Sequence, residues 1–129
     1  MVSKEILERK DIAEELKWDL GSMYANQEAW NKDFDKAMEL AKKFEVHKGS
    51  VVDSSENLYK TLKDSDELFR LVENLYSYSH MKLDEDTRLG SSQELSDKGM
   101  SLMVDVQDKT SFLIPEILTI DEATLKKFI

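Results

Sequence analysis

Histidine is scarce in this chain, so the two that occur, His47 and His80, are the first places to look for chemistry. His80 and Asp84 stand four residues apart. On a helix that spacing puts both on one face, within reach of one metal ion. A zinc site needs at least three protein ligands, so Glu85 or Asp86 would have to complete the set. No second histidine lies nearby, and a solvated turn with a helix cap accounts for the same residues. The run Asp84-Glu85-Asp86-Thr87-Arg88-Leu89 also invites comparison with a calcium loop. It fails the comparison, because position five is Arg88, position six is Leu89, and position twelve is Leu95 where a bidentate glutamate is needed. His47 precedes Lys48 and Gly49 and fits a helix C-terminus, where the dipole favours a cation. General-base work would require a partner and a pocket that the sequence does not show. Tyr76 and Tyr78 point some 200° apart on a helix, so one is expected in the core and the other at a rim. Nucleophile-elbow and phosphate-loop spacings do not occur. The residues therefore assign no catalytic, cofactor-binding or metal-binding side chain.

The elements that would position any site read as helices. Four glycines and one proline are few for a sheet with many turns. Residues 1–25 lack sustained periodicity and carry Trp18, Leu20, Met23 and Tyr24, which predicts an N-terminal arm pinned by Trp18 onto a helical body. Asn26 is a good N-cap for a first helix with Trp30, Phe34, Ala37, Met38, Ala41 and Phe44 on its apolar face. Gly49 suits the turn that follows. Asp53, Ser54 and Ser55 offer caps for a second helix. The polar run Lys63-Asp64-Ser65-Asp66-Glu67 predicts a break, with Asp64 or Ser65 capping a third helix through Leu68, Leu71, Val72 and Leu75. A fourth helix is expected from about Thr87 to Phe112, its inner face Leu89, Ser92, Ser96, Gly99, Met103, Val106, Thr110 and Leu113. Pro115 predicts a turn, and Asp121 caps a last helix. The fold class is all-α, an antiparallel helical bundle with an N-terminal arm (1–25) packed on a helical domain (26–129). Trp18, Trp30, Phe34, Leu68, Leu71, Leu75 and Met103 are the expected core.

Composition bounds the function classes. The chain has 129 residues, which suits one domain. A net charge of −9 disfavours nucleic acid and anionic membrane surfaces, both of which are met by lysine and arginine. There is no cysteine, so neither a disulfide framework nor a thiolate site can form within it. Charges at Lys4, Glu5, Glu8, Arg9 and Lys10 stand where a secretory signal needs an apolar run. A cytoplasmic protein is the expectation.

Several segments resemble, in order, the N-terminal region of an oligoendopeptidase F-type zinc metallopeptidase of the thimet oligopeptidase-like superfamily. Arg9-Lys10-Asp11-Ile12 leads into Lys17-Trp18-Asp19-Leu20, Tyr24 and Ala29-Trp30. Phe44, Gly49 and Leu58 follow, then Tyr76-Ser77-Tyr78 ahead of Asp84-Glu85-Asp86-Thr87, and finally Phe112-Leu113-Ile114-Pro115-Glu116-Ile117-Leu118. The resemblance implies an intracellular enzyme that cuts short peptides. It implies an all-helical catalytic body holding zinc with two histidines and a glutamate, a second glutamate acting as general base. The N-terminal helices would form part of the wall of a deep substrate channel. None of those ligands can be carried over, since no His-Glu-x-x-His occurs here. The chain reads as a domain truncated before its catalytic partner, with zinc and the oligopeptide substrate belonging to the complete enzyme. The alternative is an independent helical interaction or homo-oligomerisation module. A wall separated from its body is expected to expose apolar surface, around Leu125, Phe128, Ile129, Tyr78 and Met81, and to form a homodimer.

Overall fold

Two of the three long helices begin where a short polar side chain takes up a free backbone N–H, and the third begins at Leu89 without such a cap. The computed structural model describes residues 5–129; the first four residues of the expected arm lie outside them. Helix α1 (Gln27–Phe44) is capped by Asn26, whose side chain accepts from Ala29 N–H at 2.9 Å. Helix α2 (Ser55–Glu85) is capped by Ser54, which accepts from Asn57 N–H at 3.0 Å. Helix α3 (Gly90–Lys109) follows a short turn. Two short helices, α4 (Leu113–Ile117) and α5 (Glu122–Phe128), close the chain, with Asp121 accepting from Thr124 N–H at 2.7 Å. Before α1 the arm contains three 3-10 turns, Arg9–Asp11, Glu14–Leu16 and Leu20–Ser22, and a fourth, Glu45–His47, follows α1.

The three long helices pack against one another in antiparallel order. Trp30, early in α1, donates its Nε1–H to the carbonyl of Leu75, late in α2, at 3.0 Å. His47, just past α1, meets Asp64 near the start of α2. Gly99 in α3 lies against Ser79 and Tyr76 of α2, and Glu116 beyond α3 returns to Gly49 ahead of α2. Burial follows this frame: Trp30, Ala37, Ala41, Leu68, Val72, Leu75, Leu102 and Val106 are all but sealed from solvent.

The expected break at Lys63–Glu67 does not exist. Helix α2 runs through it for 31 residues, about 46 Å at 1.5 Å per residue. Its buried stripe is Thr61, Ser65, Leu68, Val72, Leu75 and Ser79, at helical steps throughout. Two of the members that continue the stripe across the charged run are hydroxyl residues. Thr61 satisfies its own hydroxyl by donating to the carbonyl of Asn57 at 2.7 Å, so it can be buried without a distant partner. Asp64 and Ser65 therefore cap nothing.

Other expectations shift by smaller amounts. Trp18 is half exposed and does not pin the arm; Leu20 and Tyr24 do, with Tyr24 packing edge-on against Tyr78 at 5.3 Å. Trp30, Leu68 and Leu75 are buried, whereas Phe34, Leu71 and Met103 are partly buried around them. On α3 the face also takes in Leu95 and Leu102, while Leu89 is exposed. Gly90 begins α3 in open space, but Gly99 is required by contact: a Cβ there would lie 2.4 Å from Ser79 Oγ. The segment around Pro115 is a helical turn. Pro115 is the third residue of α4, where its missing N–H costs no helical bond.

Candidate functional site

Two clusters hold the side chains that the sequence singled out. The first lies where α1 ends. The 3-10 turn Glu45–His47 tucks the His47 ring edge-on against Phe44, with centroids 5.3 Å apart, and Phe44 in turn meets Phe112. His47 is buried, and its Nε2 lies 2.8 Å from Asp64 Oδ2. An ionised carboxylate only accepts, so this bond places a proton on Nε2. The pair borders a groove of about 490 Å³ with Leu40, Val46 and Lys60 on its walls. A histidine held by an aspartate is half of a general-base device, but no serine or threonine borders this groove to act as a nucleophile. The pair ties the end of α1 to the first turns of α2. Gly49, at φ 87°, completes the corner, its N–H donating to both oxygens of Glu116 at 2.8 and 3.0 Å. Sequence reading put His47 at a helix end, which is correct. It missed Asp64, 17 residues away, because nothing local marks a tertiary pair.

The second cluster is the end of α2. His80 stacks on Tyr76 with ring centroids 5.7 Å apart, and its Nε2 stands 3.8 Å from Asp84 Oδ2. Tyr78 is core and Tyr76 is at the rim, as their opposed directions require. The three acids that follow His80 serve different partners. Asp84 faces His80. Glu85, whose side chain is nearly buried, pairs with Arg9 of the arm at 2.8 Å and with Lys82 at 3.5 Å. Asp86 accepts from Arg88 through Nε at 2.9 Å, Nη2 at 2.9 Å and the backbone N–H at 3.0 Å. Those bonds, the side-chain ones first, hold the Asp86 carboxyl down at about 2. Among the described residues no three His, Cys, Asp or Glu side chains converge as a metal site. The acids around His80, each turned to its own partner, do not fit a zinc ion.

The comparisons with known proteins turn on the whole chain. No family model matches it. It is 35% identical over 127 residues to oligopeptidase PepF of Bacillus subtilis, a match covering 98% of this chain and 19% of that protein. It is 32% identical over 122 residues to an oligoendopeptidase F homolog of Lactococcus lactis subsp. lactis, covering 94% of this chain and 20% of that one. The chain is homologous to oligoendopeptidase F. The resemblance read from Trp18, Trp30, Tyr76 and Pro115 is thereby borne out. The crystal structure of oligoendopeptidase-F from Enterococcus faecium shares the fold, with a TM-score of 0.74 at 24% identity over 80% of this chain and 20% of that one. The chain spans about a fifth of the length of these relatives. The described residues contain no helix long and apolar enough to cross a membrane.

Proposed function

We propose that the chain is the non-catalytic N-terminal helical domain of a cytoplasmic zinc metalloendopeptidase that hydrolyses short peptides. In this reading residues 1–25 form the arm and 26–129 the helical domain. The partners are a catalytic domain later in the same chain and the oligopeptide substrate, and the bundle supplies part of the wall of the substrate channel. The observation that carries it is the 35% identity along almost the entire chain to a protein named an oligopeptidase, matched over only 19% of that protein. The scattered use of His47 and His80 agrees with a wall, since each is spent on a packing contact.

A chimera tests this directly. The region of Bacillus subtilis PepF that matches is replaced by residues 1–129, and cleavage of a quenched short peptide is measured beside that of the 129-residue chain alone. The chimera should cleave and be silenced by a chelator, whereas the chain alone should not cleave. A folded, zinc-loaded chimera without cleavage, or chelator-sensitive cleavage by the chain alone, overturns the proposal. The same reading expects the separated chain to dimerise weakly through surface that a catalytic domain would cover. Of the expected surface, Leu125 and Ile129 are exposed and Phe128 and Met81 partly so, whereas Tyr78 is buried against Tyr24 and does not belong to it. Sedimentation at micromolar concentration checks this, and a monomer that persists in raised salt, where the −9 charge is screened, counts against it.

A further inference from the structure

The arm is attached in a different way from everything else in the molecule. Not one residue from 5 to 19 is buried, and Ile6, Leu7, Leu16 and Trp18 are all exposed. Its backbone hydrogen bonds are local: Asp11 N–H to Glu8, Ile12 N–H to Arg9, Leu16 N–H to Ala13 and Lys17 N–H to Glu14. Glu8 N–H donates to Asp11 in the same way. The arm can therefore move without breaking a backbone bond to the bundle. What crosses to the bundle is charge. Arg9 reaches Glu85 at 2.8 Å, and Arg88 reaches Glu8 at 3.4 Å. Both pairs land at one place, the end of α2 and the turn into α3. Clefts of about 280 and 390 Å³ remain unfilled between the arm and that turn. The first well-buried anchors are Leu20 and Tyr24.

We infer that residues 5–19 form an electrostatic strap, held shut over the end of α2 by the Arg9–Glu85 and Glu8–Arg88 pairs and hinged at Leu20–Tyr24. Closed, it covers the Glu85 carboxylate. Open, it merges the two clefts into one surface and exposes Glu85 beside Asp84. Its position responds to ionic strength mainly through the exposed Glu8–Arg88 pair, because the Arg9–Glu85 pair, with the Glu85 side chain only 10% exposed, is screened less. This conclusion stands whether or not the chain belongs to a longer peptidase.

The two tryptophans make the strap measurable. Trp18 is half exposed on the arm, and Trp30 is sealed in the bundle with its Nε1–H bound to Leu75. Acrylamide quenching thus reports on Trp18, and amide hydrogen exchange follows both regions at once. Single 3-10 turns released from the bundle are too short to hold themselves. In R9Q, and separately in E85Q, the amides of Asp11, Ile12, Leu16 and Lys17 should therefore exchange about two- to five-fold faster, the range for losing one such pair. Quenching of Trp18 should rise, and the amides around Trp30 and Leu75 should keep their rates. Raised sodium chloride on the unaltered chain should act in the same direction and by less, since it screens the exposed Glu8–Arg88 pair more than Arg9–Glu85. Arm amides that ignore both variants and salt would show that packing holds the arm. Arm and bundle loosening to the same extent would show that Arg9 and Glu85 are general stabilisers. Either result overturns the strap.

Discussion

The bundle and the arm are made from similar residue types, yet opposite forces hold them. In the bundle Trp30, Val72, Leu75 and Val106 have lost contact with water, and each helix closes against the other two. In the arm Leu7, Leu16 and Trp18 keep much of their surface exposed, and arginine–carboxylate pairs make the crossing contacts. The difference is one of geometry more than composition. Helical steps of three and four gather apolar side chains on one face, where burial contributes roughly 1.5–3 kcal/mol per large side chain. Single 3-10 turns cannot build such a face, so the arm falls back on charge, and exposed pairs contribute about 1 kcal/mol or less. The bundle should thus be insensitive to salt and sensitive to side-chain volume, and the arm the reverse.

Truncation of the core breaks that comparison most sharply. Leu75→Ala should cost about 2–5 kcal/mol, as expected for a sealed leucine, while Trp18→Ala should fall within about 0.5 kcal/mol of the unaltered chain. Leu71, only partly buried, should lie between them. Urea unfolding followed by circular dichroism gives all three. A Trp18 variant as damaging as the Leu75 variant would mean that the arm is part of the core.

Overpacking probes the bundle from the other side. Gly99→Ala would place a methyl carbon 2.4 Å from Ser79 Oγ, and Ser79 is itself fully buried. The helices must separate or the serine must rotate, at about 1–3 kcal/mol. The double variant Gly99→Ala, Ser79→Gly should recover most of the loss if the hydroxyl is the obstacle. Without recovery, the hydroxyl is not the obstacle, since the Cα of Tyr76 at 3.6 Å would be in ordinary contact.

How far the sequence foretold this follows from the range of each interaction. Asn26, Ser54 and Asp121 were legible as caps because a cap closes within three residues. The all-helical bundle was legible from apolar spacing, and the oligoendopeptidase F resemblance from tryptophan, tyrosine and proline positions. The continuity of α2 was not, because Thr61 and Ser65 carry its stripe across a charged run and a polarity count reads them as a gap. Of the contacts at the candidate site, His47–Asp64 and Arg9–Glu85 were invisible. Their partners meet only after the helices have packed, and neither spacing carries a local signal.

Tyr24 stands at the border between the two regions and gives a test by pH. Burial, then the hydrogen bond and charge of Asp33, push its phenol well above the ordinary value. Its hydroxyl donates to Asp33 Oδ2 at 2.9 Å. A raised folded-state value means stability is full below about pH 10, where the unfolded phenol begins to ionise, and declines as pH rises beyond that. Thermal unfolding from pH 8 to 11 should show this decline, and Tyr24→Phe should flatten it. An unchanged slope in Tyr24→Phe would transfer the effect to other groups.

The smallest expected effect belongs to the charge cluster beneath the arm. Arg88 holds the Asp86 carboxyl down at about 2, against about 3.9 for a free aspartate. A lowered folded-state value stabilises the fold above about pH 4, and that contribution is lost as pH falls toward 2. Arg88 is the partner of Asp86 in this turn, so acid should loosen the turn while the bundle stays closed. Hydrogen exchange at pH 4 and pH 2.5, corrected for intrinsic rates, should show the amides of Arg88 and Leu89 gaining exposure ahead of the Trp30 and Leu75 amides. Arg88→Gln should remove most of the pH dependence of the turn. If the turn in Arg88→Gln keeps its full acid response, groups other than Asp86 carry it, and the Arg88 bonds do not set its stability in acid.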